Sequence, residues 1–385
     1  ASALVYVLGY TLARTDEGLS WGEHARAALE RIGDDPVRRA VLLGHLGLVY
    51  ERAGDYPAAI DHDERALQTW RELAGENLPD AARVKNSLGN VVFRTGGVEE
   101  ARKLWMEAHA TFVATLGPDH PDIALPLNNL ATSDVFLGND VEGERRLLEV
   151  VALWERAFGR EHPRLAIPLA NLAVIERDRG HYAASDEIEK RTLKIREQAL
   201  GADHTDVAMS VAGLAYSAWQ QGRLEEAEAM FRRAIAIRER AQGSDHPEIA
   251  GSLSNLALVL SERGKHEDAI ATARRSTAIR EQTFGVDHPE VADSLHPLVE
   301  ALEGAGRPAE ALPVVERALR LRESAEQIDP SEVAELRVVL AELLTALDRE
   351  PARARAAMQL ARTEYAALDD DEEVANIDRW LAERR

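Results

Sequence analysis

The 385-residue chain contains no cysteine, so disulfide bonds and thiol chemistry are excluded. The absence of cysteine also fits an intracellular protein, and we expect a cytoplasmic location. Basic residues are few: 46 Lys and Arg stand against 67 Asp and Glu, for a formal net charge of −21. Nucleic acids and anionic membranes bind cationic surfaces, so neither is expected to be the main partner.

Motifs of common catalytic and metal sites are also missing. There is no P-loop, no HExxH, no EF-hand loop and no GxGxxG before a helix. Residues 18–22 match G-x-S-x-G, but a nucleophile elbow needs a strand before its serine, and helical patterns lie on both sides here. Ser20 is predicted instead to cap a helix that starts at Trp21. We therefore expect no enzyme activity, no cofactor and no metal.

Long hydrophobic runs are absent too. The apolar segment at residues 3–8 is too short to span a membrane and lacks the basic start of a signal peptide. It predicts a buried first helix, cut from a longer parent protein, with a possible contact to an upstream domain.

What the sequence does have is a period of 42 residues. Glycine, leucine and alanine recur in a single phase, at Gly54, Gly96, Gly138, Gly180, Gly222, Gly264 and Gly306, at every 42nd position from Leu46 to Leu340, and at every 42nd position from Ala40 to Ala334. Such a period indicates one supersecondary unit copied in tandem, which buries its apolar face against its neighbours.

One repeat shows what the unit is. Asp245 fits an N-cap, and Glu248 stands at the capping-box spacing behind it. Apolar residues then keep helical spacing until Gly264, which is predicted to end the first helix. A second helix follows, and a loop leads to the next repeat at Asp287. No segment alternates with period two over strand length, so no sheet is expected.

Four short patterns in these repeats resemble a known family. They are Leu116-Gly117-Pro118-Asp119-His120-Pro121, Asn129-Leu130-Ala131, Gly222 to Ala227, and Arg233-Ala234-Ile235-Ala236-Ile237-Arg238-Glu239. The chain resembles the tetratricopeptide repeat in its 42-residue form, as found in kinesin light chains, over about residues 36–369. The resemblance implies an all-α, right-handed superhelical solenoid of about nine antiparallel helix pairs with a C-terminal capping helix.

The repeat predicts a single domain over residues 1–385. Residues 1–35 form a divergent first helix pair, and 36–329 form seven regular repeats. Residues 330–369 form a divergent last repeat, and 370–385 form the capping helix.

In tetratricopeptide superhelices the first helix of each pair lines the concave face. Counting from Leu88-Gly89 and its equivalents, the residues three and two before the glycine, and one, four and five after it, face the groove. The predicted partner-binding residues are Arg83, Asn86, Asn90, Arg94, Asn128, Asn129, Asn171, Arg177, Tyr216, Trp219, Asn255 and Glu300.

Asn129, Asn171 and Asn255 occupy one position of the repeat. In the family an asparagine there can hydrogen-bond the backbone of an extended peptide, since an amide both donates and accepts. Bonds to a neighbouring helix are the alternative. Arginines fall in the first half of the groove and acidic residues in the second, which indicates either a charge preference or a solvated face.

Two further sets recur every 42 residues. The first set is a histidine at the start of each repeat: His120, His162, His204, His246 and His288. Packed helices lie about 8–10 Å apart, whereas zinc holds its nitrogen ligands at about 2 Å. Successive histidines therefore cannot share one ion, and they are interpreted as turn residues rather than metal ligands. An aromatic set on second helices is predicted to pack against the inter-repeat loops, with a docking stripe as the alternative: Trp70, Phe112 and Trp154.

These patterns predict a protein–protein interaction scaffold that captures a peptide or partner protein in its concave groove. Similar arrays often follow a kinase or NTPase domain in large bacterial signalling proteins, so the chain is interpreted as the recruiting or sensing region of one. The alternative is a self-assembly or intramolecular docking module that regulates an attached kinase or NTPase domain.

Overall fold

The computed structural model describes residues 1–12, 14–74, 78–325 and 329–384, and in these ranges the chain is helical with no β-strand. The predicted all-α architecture of antiparallel helix pairs is confirmed. No helix in the described ranges is both long and apolar enough to cross a bilayer. The α-helices, in chain order, are α1 Ser2–Leu4, α2 Thr15–Arg31, α3 Pro36–Ala53, α4 Tyr56–Ala74, α5 Pro79–Arg94, α6 Val98–Leu116, α7 Ala124–Phe136, α8 Asp140–Phe158, α9 Ala166–Asp178, α10 Tyr182–Leu200, α11 Thr205–Gln220, α12 Leu224–Gln242, α13 Pro247–Glu262, α14 His266–Phe284, α15 Ala292–Gly304, α16 Pro308–Glu323, α17 Pro330–Ala346, α18 Pro351–Ala367 and α19 Asp371–Glu383.

The chain divides into two compact units, unit 1 at residues 1–179 and unit 2 at residues 180–385. Within unit 1, α3 packs on α4, α4 on α5 and α5 on α6, and α5 also contacts the first helices on either side of it, α3 and α7. Within unit 2, α11, α12, α13 and α14 follow the same order, and α13 contacts α15. Contacts between sequence neighbours are those of a repeat array. The assignment of 1–385 to one domain, with its repeat boundaries, stays a prediction.

The helix ends follow the glycine period. α13 ends at Glu262, and Gly264 then adopts φ 73°, a left-handed conformation that side chains with a Cβ rarely take. In the divergent last repeat Asp348 adopts the left-handed conformation instead, with φ 51°.

The first helices begin differently from the prediction. His246, and not Asp245, is the N-cap of α13: its Nδ1 accepts the backbone N–H of Glu248 at 3.3 Å. The imidazole takes the role expected of the aspartate because it lies one residue nearer to the first turn, where N–H groups have no partner within the helix. The same bond, at 3.1–3.3 Å, recurs at His120, His162, His204 and His288.

A substitution at His204 tests this capping role. His204→Ala should lower the free energy of unfolding by about 0.5–2 kcal/mol, the usual cost of losing an N-cap. His204→Asn should recover most of that loss, because asparagine is a good N-cap. Urea unfolding of both variants measures the difference. Equal stability of His204→Ala and the unsubstituted chain would show that the bond contributes nothing.

The aromatic set packs, as predicted. Trp70, Phe112 and Trp154 are 4%, 0% and 4% exposed, and the Trp154 indole donates to the carbonyl oxygen of Pro121 in the inter-repeat loop at 2.9 Å. In unit 2 arginines take this repeat position and bind the next first helix. Arg196 donates to Ser210 at 2.6 Å, and Arg238 donates to Ser252 at 2.7 Å.

Two predictions near the N-terminus are wrong. The apolar segment is not a buried helix: it runs through α1 into a π-helix at Val5–Thr11, and Leu4 and Val7 are 38% and 43% exposed. The segment packs against α2 and α3, and Val5 is fully buried while those two side chains stay exposed. Ser20 does not cap a helix either. It lies inside α2, whose helical run begins five residues earlier, so no strand precedes it.

Candidate functional site

Unit 1 carries an open cleft of about 1090 Å³. It is lined mainly by residues of the first helices α3, α5 and α7, and also by Tyr6 and Tyr10 of the π-helix and by Ile167 of α9. Six of the predicted partner-binding residues line it: Arg83, Asn86, Asn90, Arg94, Asn128 and Asn129.

The amides in this cleft tie successive first helices together. The Asn129 side-chain N–H groups on α7 donate to Asn86 at 3.0 Å and to Asn90 at 2.7 Å, both on α5. The Trp105 indole also donates to Asn90, at 3.1 Å. Asn171 repeats the pattern by donating to the Thr132 hydroxyl at 3.0 Å. For these two repeats the structure shows the bonds to a neighbouring helix that the sequence left as the alternative. A role of the asparagines toward a ligand stays a prediction.

Adjacent residues provide a test of this network. Asn129→Ala should lower the free energy of unfolding by about 1–3 kcal/mol, since two hydrogen bonds are lost at about 0.5–1.5 kcal/mol each. Asn128→Ala is the matched control, and it should not lower the free energy of unfolding, because the Asn128 Oδ1 is buried and accepts no hydrogen bond from the described residues. Urea unfolding compares the two. Equal losses would show that the amide network does not stabilise the fold.

The charges in the cleft are partly compensated. Arg83 donates to Asp80 at 2.7 Å and to Asp122 at 2.6 Å, so its charge is balanced in place. The Arg94 side chain is 61% exposed, and its Nε lies 3.7 Å from Oε1 of Glu51. The positive groups predicted for this half of the groove are therefore paired with carboxylates in the structure.

Two carboxyl groups in this part of unit 1, Asp63 and Glu51, have raised pKa values. Asp63 of α4 is fully buried, and burial raises its pKa well above the ordinary value; the nearby Ser87 hydroxyl offsets this in part, and Glu51 adds to it. Burial also raises the pKa of Glu51, with Arg94 and Arg52 opposing. Both Asp63 oxygens, the Glu51 Oε2 and the Ser87 Oγ are buried and have no hydrogen-bond partner among the described residues.

The remaining predicted residues lie elsewhere. Arg177 does not line the cleft and lies 3.7 Å from Asp178. In unit 2, Tyr216 and Trp219 pack edge to face at 5.7 Å, and the Trp219 indole donates to Glu262 at 2.6 Å. Glu300 lies 3.9 Å from His296, and Asn255 is half-buried on α13. Burial raises the pKa of Glu300.

The sequence had a signal for residues that were missed. The groove positions were counted from the Leu-Gly pair of the second repeat, and the first repeat has the same pair at Leu46-Gly47. The rule then gives Gly44, His45, Leu48, Glu51 and Arg52, and the first four of these line the cleft. Tyr6 and Tyr10 carry no repeat signal, because they precede the regular repeats.

The described residues hold no group of three or more His, Cys, Asp or Glu side chains that could bind a metal ion. The five repeated histidines are separate N-caps. The cleft is therefore a surface of hydrogen-bonding and aromatic groups.

Comparisons with known proteins agree with this architecture. A solved Rap protein complexed with competence and sporulation factor is similar over 100% of this chain and 99% of its own, with a TM-score of 0.61 and 16% identity. A signal transduction ATPase with numerous domains and a tetratricopeptide repeat sensor, from Pyrococcus horikoshii, matches 91% of this chain and 54% of its own, with a TM-score of 0.62 and 13% identity. A putative kinesin light chain from Podosopora anserina matches 54% of this chain and 99% of its own, with 22% identity and a TM-score of 0.44.

At these identities the Rap protein and the signal transduction ATPase show the fold alone. A comparison with curated protein sequences gave no match. The family model of the tetratricopeptide repeat matches seven overlapping segments: residues 2–72, 38–97, 80–140, 123–198, 190–240, 205–282 and 248–324. Together they cover most of the sequence, and the chain belongs to the tetratricopeptide repeat family.

Proposed function

We propose that the chain is a protein-interaction scaffold whose unit 1 cleft binds an extended segment of a partner protein. The observation that carries this is the cleft itself, a continuous surface along α3, α5 and α7 that combines exposed side chains with unpaired buried acceptors. Its volume of about 1090 Å³ is at the upper end for small-molecule pockets, which enclose about 300–1,000 Å³. An open cleft of this size suits a peptide.

The dimensions set the length of that peptide. Neighbouring helices lie about 8–10 Å apart, so the two steps from α3 to α7 span about 16–20 Å. An extended chain covers about 3.3–3.6 Å per residue, so five or six residues reach across. An octapeptide is therefore long enough to occupy the cleft.

The wider role is the recruiting or sensing region of a larger bacterial signalling protein in the cytoplasm. Its support is the likeness of fold to the tetratricopeptide repeat sensor of a signal transduction ATPase and to a Rap protein in complex with a factor. The net charge of −21 argues against nucleic acid and anionic membranes as partners. The family match names no catalytic family, and we expect the chain to have no enzyme activity of its own.

A second candidate is self-assembly or docking on an attached kinase or NTPase domain through the N-terminal segment. The observation in its favour is the exposure of Leu4, Tyr6 and Val7, which are 37–43% exposed on one short stretch. Concentration-dependent light scattering of the chain, alone and with Leu4→Ser and Val7→Ser, tests it.

The cleft is tested with a matched pair of substitutions. Ile167 in the cleft and Leu148 outside it are 58% and 53% exposed, so replacing either with glutamate should leave the fold intact. The probe is a mixture of N-acetylated random octapeptides passed over the immobilised chain. Ile167→Glu should reduce peptide retention about tenfold, equivalent to about 1.4 kcal/mol. Leu148→Glu should not change it. Equal retention by both variants would place binding outside the cleft.

A further inference from the structure

The unpaired buried oxygens beneath the cleft lie in one place. Ser87 and Glu51 line the cleft, and Asp63 lies next to Ser87 on the adjoining helix. Asp63 Oδ1 faces Gly47 of α3, where a Cβ would lie only 2.1 Å from it. We call Glu51, Asp63 and Ser87 the acceptor cluster. Its four oxygen atoms come from three packed helices and, apart from the Ser87 hydroxyl that lies beside Asp63 and lowers its pKa, they have no hydrogen-bond donor within the described ranges.

Such a cluster is unusual inside a protein. More than about nine in ten buried polar groups have a hydrogen-bond partner, and an unpaired carboxylate is among the costliest groups to bury. Asp63 takes a repeat position that is held by the apolar residues Trp105, Leu147 and Phe231 and by one other buried carboxyl group, Glu189, which lies 3.9 Å from Arg196. No cation contributes to the pKa of Asp63, so a positive group from a ligand would compensate a charge that the fold leaves unbalanced.

We propose that the acceptor cluster is a binding site for a primary ammonium group, carried into the cleft by the peptide ligand. An ammonium group has three N–H donors and no acceptor, which complements a set of acceptor oxygens. Its positive charge compensates the buried carboxyl groups. This inference rests on the proposed peptide-binding function and specifies the chemistry that the cleft selects.

The surroundings favour a lysine side chain as the source. Arg94 and Arg52 lower the pKa of Glu51, whereas no cation contributes to the pKa of Asp63. A lysine has a flexible four-carbon stem and a compact charge at its end. The Tyr6 and Tyr10 rings, 5.5 Å apart, line the cleft and add apolar surface for that stem.

The experiment uses three octapeptide libraries with otherwise random, lysine-free positions. One is N-acetylated with a lysine at the fourth position, the second carries norleucine there, and the third is lysine-free with a free amino terminus. The immobilised unsubstituted chain should retain the lysine library about tenfold better than the norleucine library. Preference for the free amino terminus over both would assign the site to a peptide end while retaining the ammonium chemistry.

Substitutions in the cluster distinguish recognition from stability. Asp63→Asn and Glu51→Gln should each bring the lysine-to-norleucine ratio close to one. Glu155→Gln is the control: it removes the same charge from a glutamate 3.8 Å from Arg160 and outside the cleft, and should leave the ratio unchanged. Thermal melts of all variants show that the proteins are folded.

Two results would overturn the proposal. Equal retention of all three libraries by the unsubstituted chain would show peptide binding without ammonium recognition, and the proposed function would stand alone. A lysine preference that survives in both Asp63→Asn and Glu51→Gln would locate the ammonium site elsewhere. If no library is retained, the peptide-binding function fails together with the ammonium site.

Discussion

Replacing Leu172 with aspartate should lower the free energy of unfolding by about 3 kcal/mol or more. Leu172 is 5% exposed on α9, which packs against α8. The substitution removes a buried apolar side chain and introduces a buried carboxyl group without an ion-pair partner. Both effects act in the same direction, so this is the largest loss expected from a single substitution.

The matched control is Leu148→Asp on the neighbouring helix α8. Leu148 is 53% exposed, so its replacement should change stability by no more than about 0.5 kcal/mol. Urea unfolding of both variants, followed by circular dichroism, measures the two losses. Similar midpoints for both would contradict the assignment of the repeated leucine to the core.

Asp63→Asn should stabilise the chain at neutral pH, because the variant does not carry the cost of ionising a carboxyl group that is buried. Burial raises the pKa of Asp63 in the folded state above its unfolded value. The folded state therefore binds the extra proton, and the stability of the unsubstituted chain falls as the pH rises from the ordinary carboxyl range through the raised pKa. The asparagine does not titrate, so the variant lacks this loss.

The comparison is made by urea unfolding from pH 3.5 to pH 8. The stability gain of Asp63→Asn should be largest at the upper end and should vanish near the ordinary carboxyl pKa, where both folded and unfolded states of the unsubstituted chain are protonated. Asp61→Asn is the control, because Asp61 lies on the same helix with its side chain 59% exposed. A variant that is less stable than the unsubstituted chain at pH 7 would show that the carboxylate has a stabilising partner in the fold.

Two effects are expected of Asp63→Asn, one on the stability of the fold and one on the recognition of lysine. Asp63→Asn is expected to gain stability and to lose the lysine preference, which a residue with a purely structural role would not do. Functional sites often retain groups that destabilise the fold. The cost of burying Asp63 is consistent with a residue kept for a ligand.

The repeat pattern was sufficient to predict the helices. It predicted only part of the cleft, because the cleft also depends on packing between repeats. A period of 42 with glycine, leucine and alanine in phase locates turns and core positions, because each repeat has the same local environment. The N-cap was misassigned because Asp245 and His246 are adjacent and both side chains can accept a hydrogen bond. Local sequence does not distinguish between neighbouring acceptors.

The acceptor cluster depends on contacts that the period does not encode. Glu51 follows from the groove rule in the first repeat. Asp63 carries no comparable signal, because its repeat position also holds Glu189 among apolar residues. Their proximity to Ser87 comes from the packing of α3, α4 and α5. The same holds for the bonds from Asn129 to Asn86 and Asn90, which join side chains about one repeat apart.

The most direct test of the central claim is a crystal structure of the chain with the best-retained lysine octapeptide. The peptide should lie extended along α3, α5 and α7, with its lysine nitrogen within hydrogen-bond distance, about 2.7–3.2 Å, of Asp63 or Glu51. A peptide bound on another surface, with the unit 1 cleft unoccupied, would contradict the account.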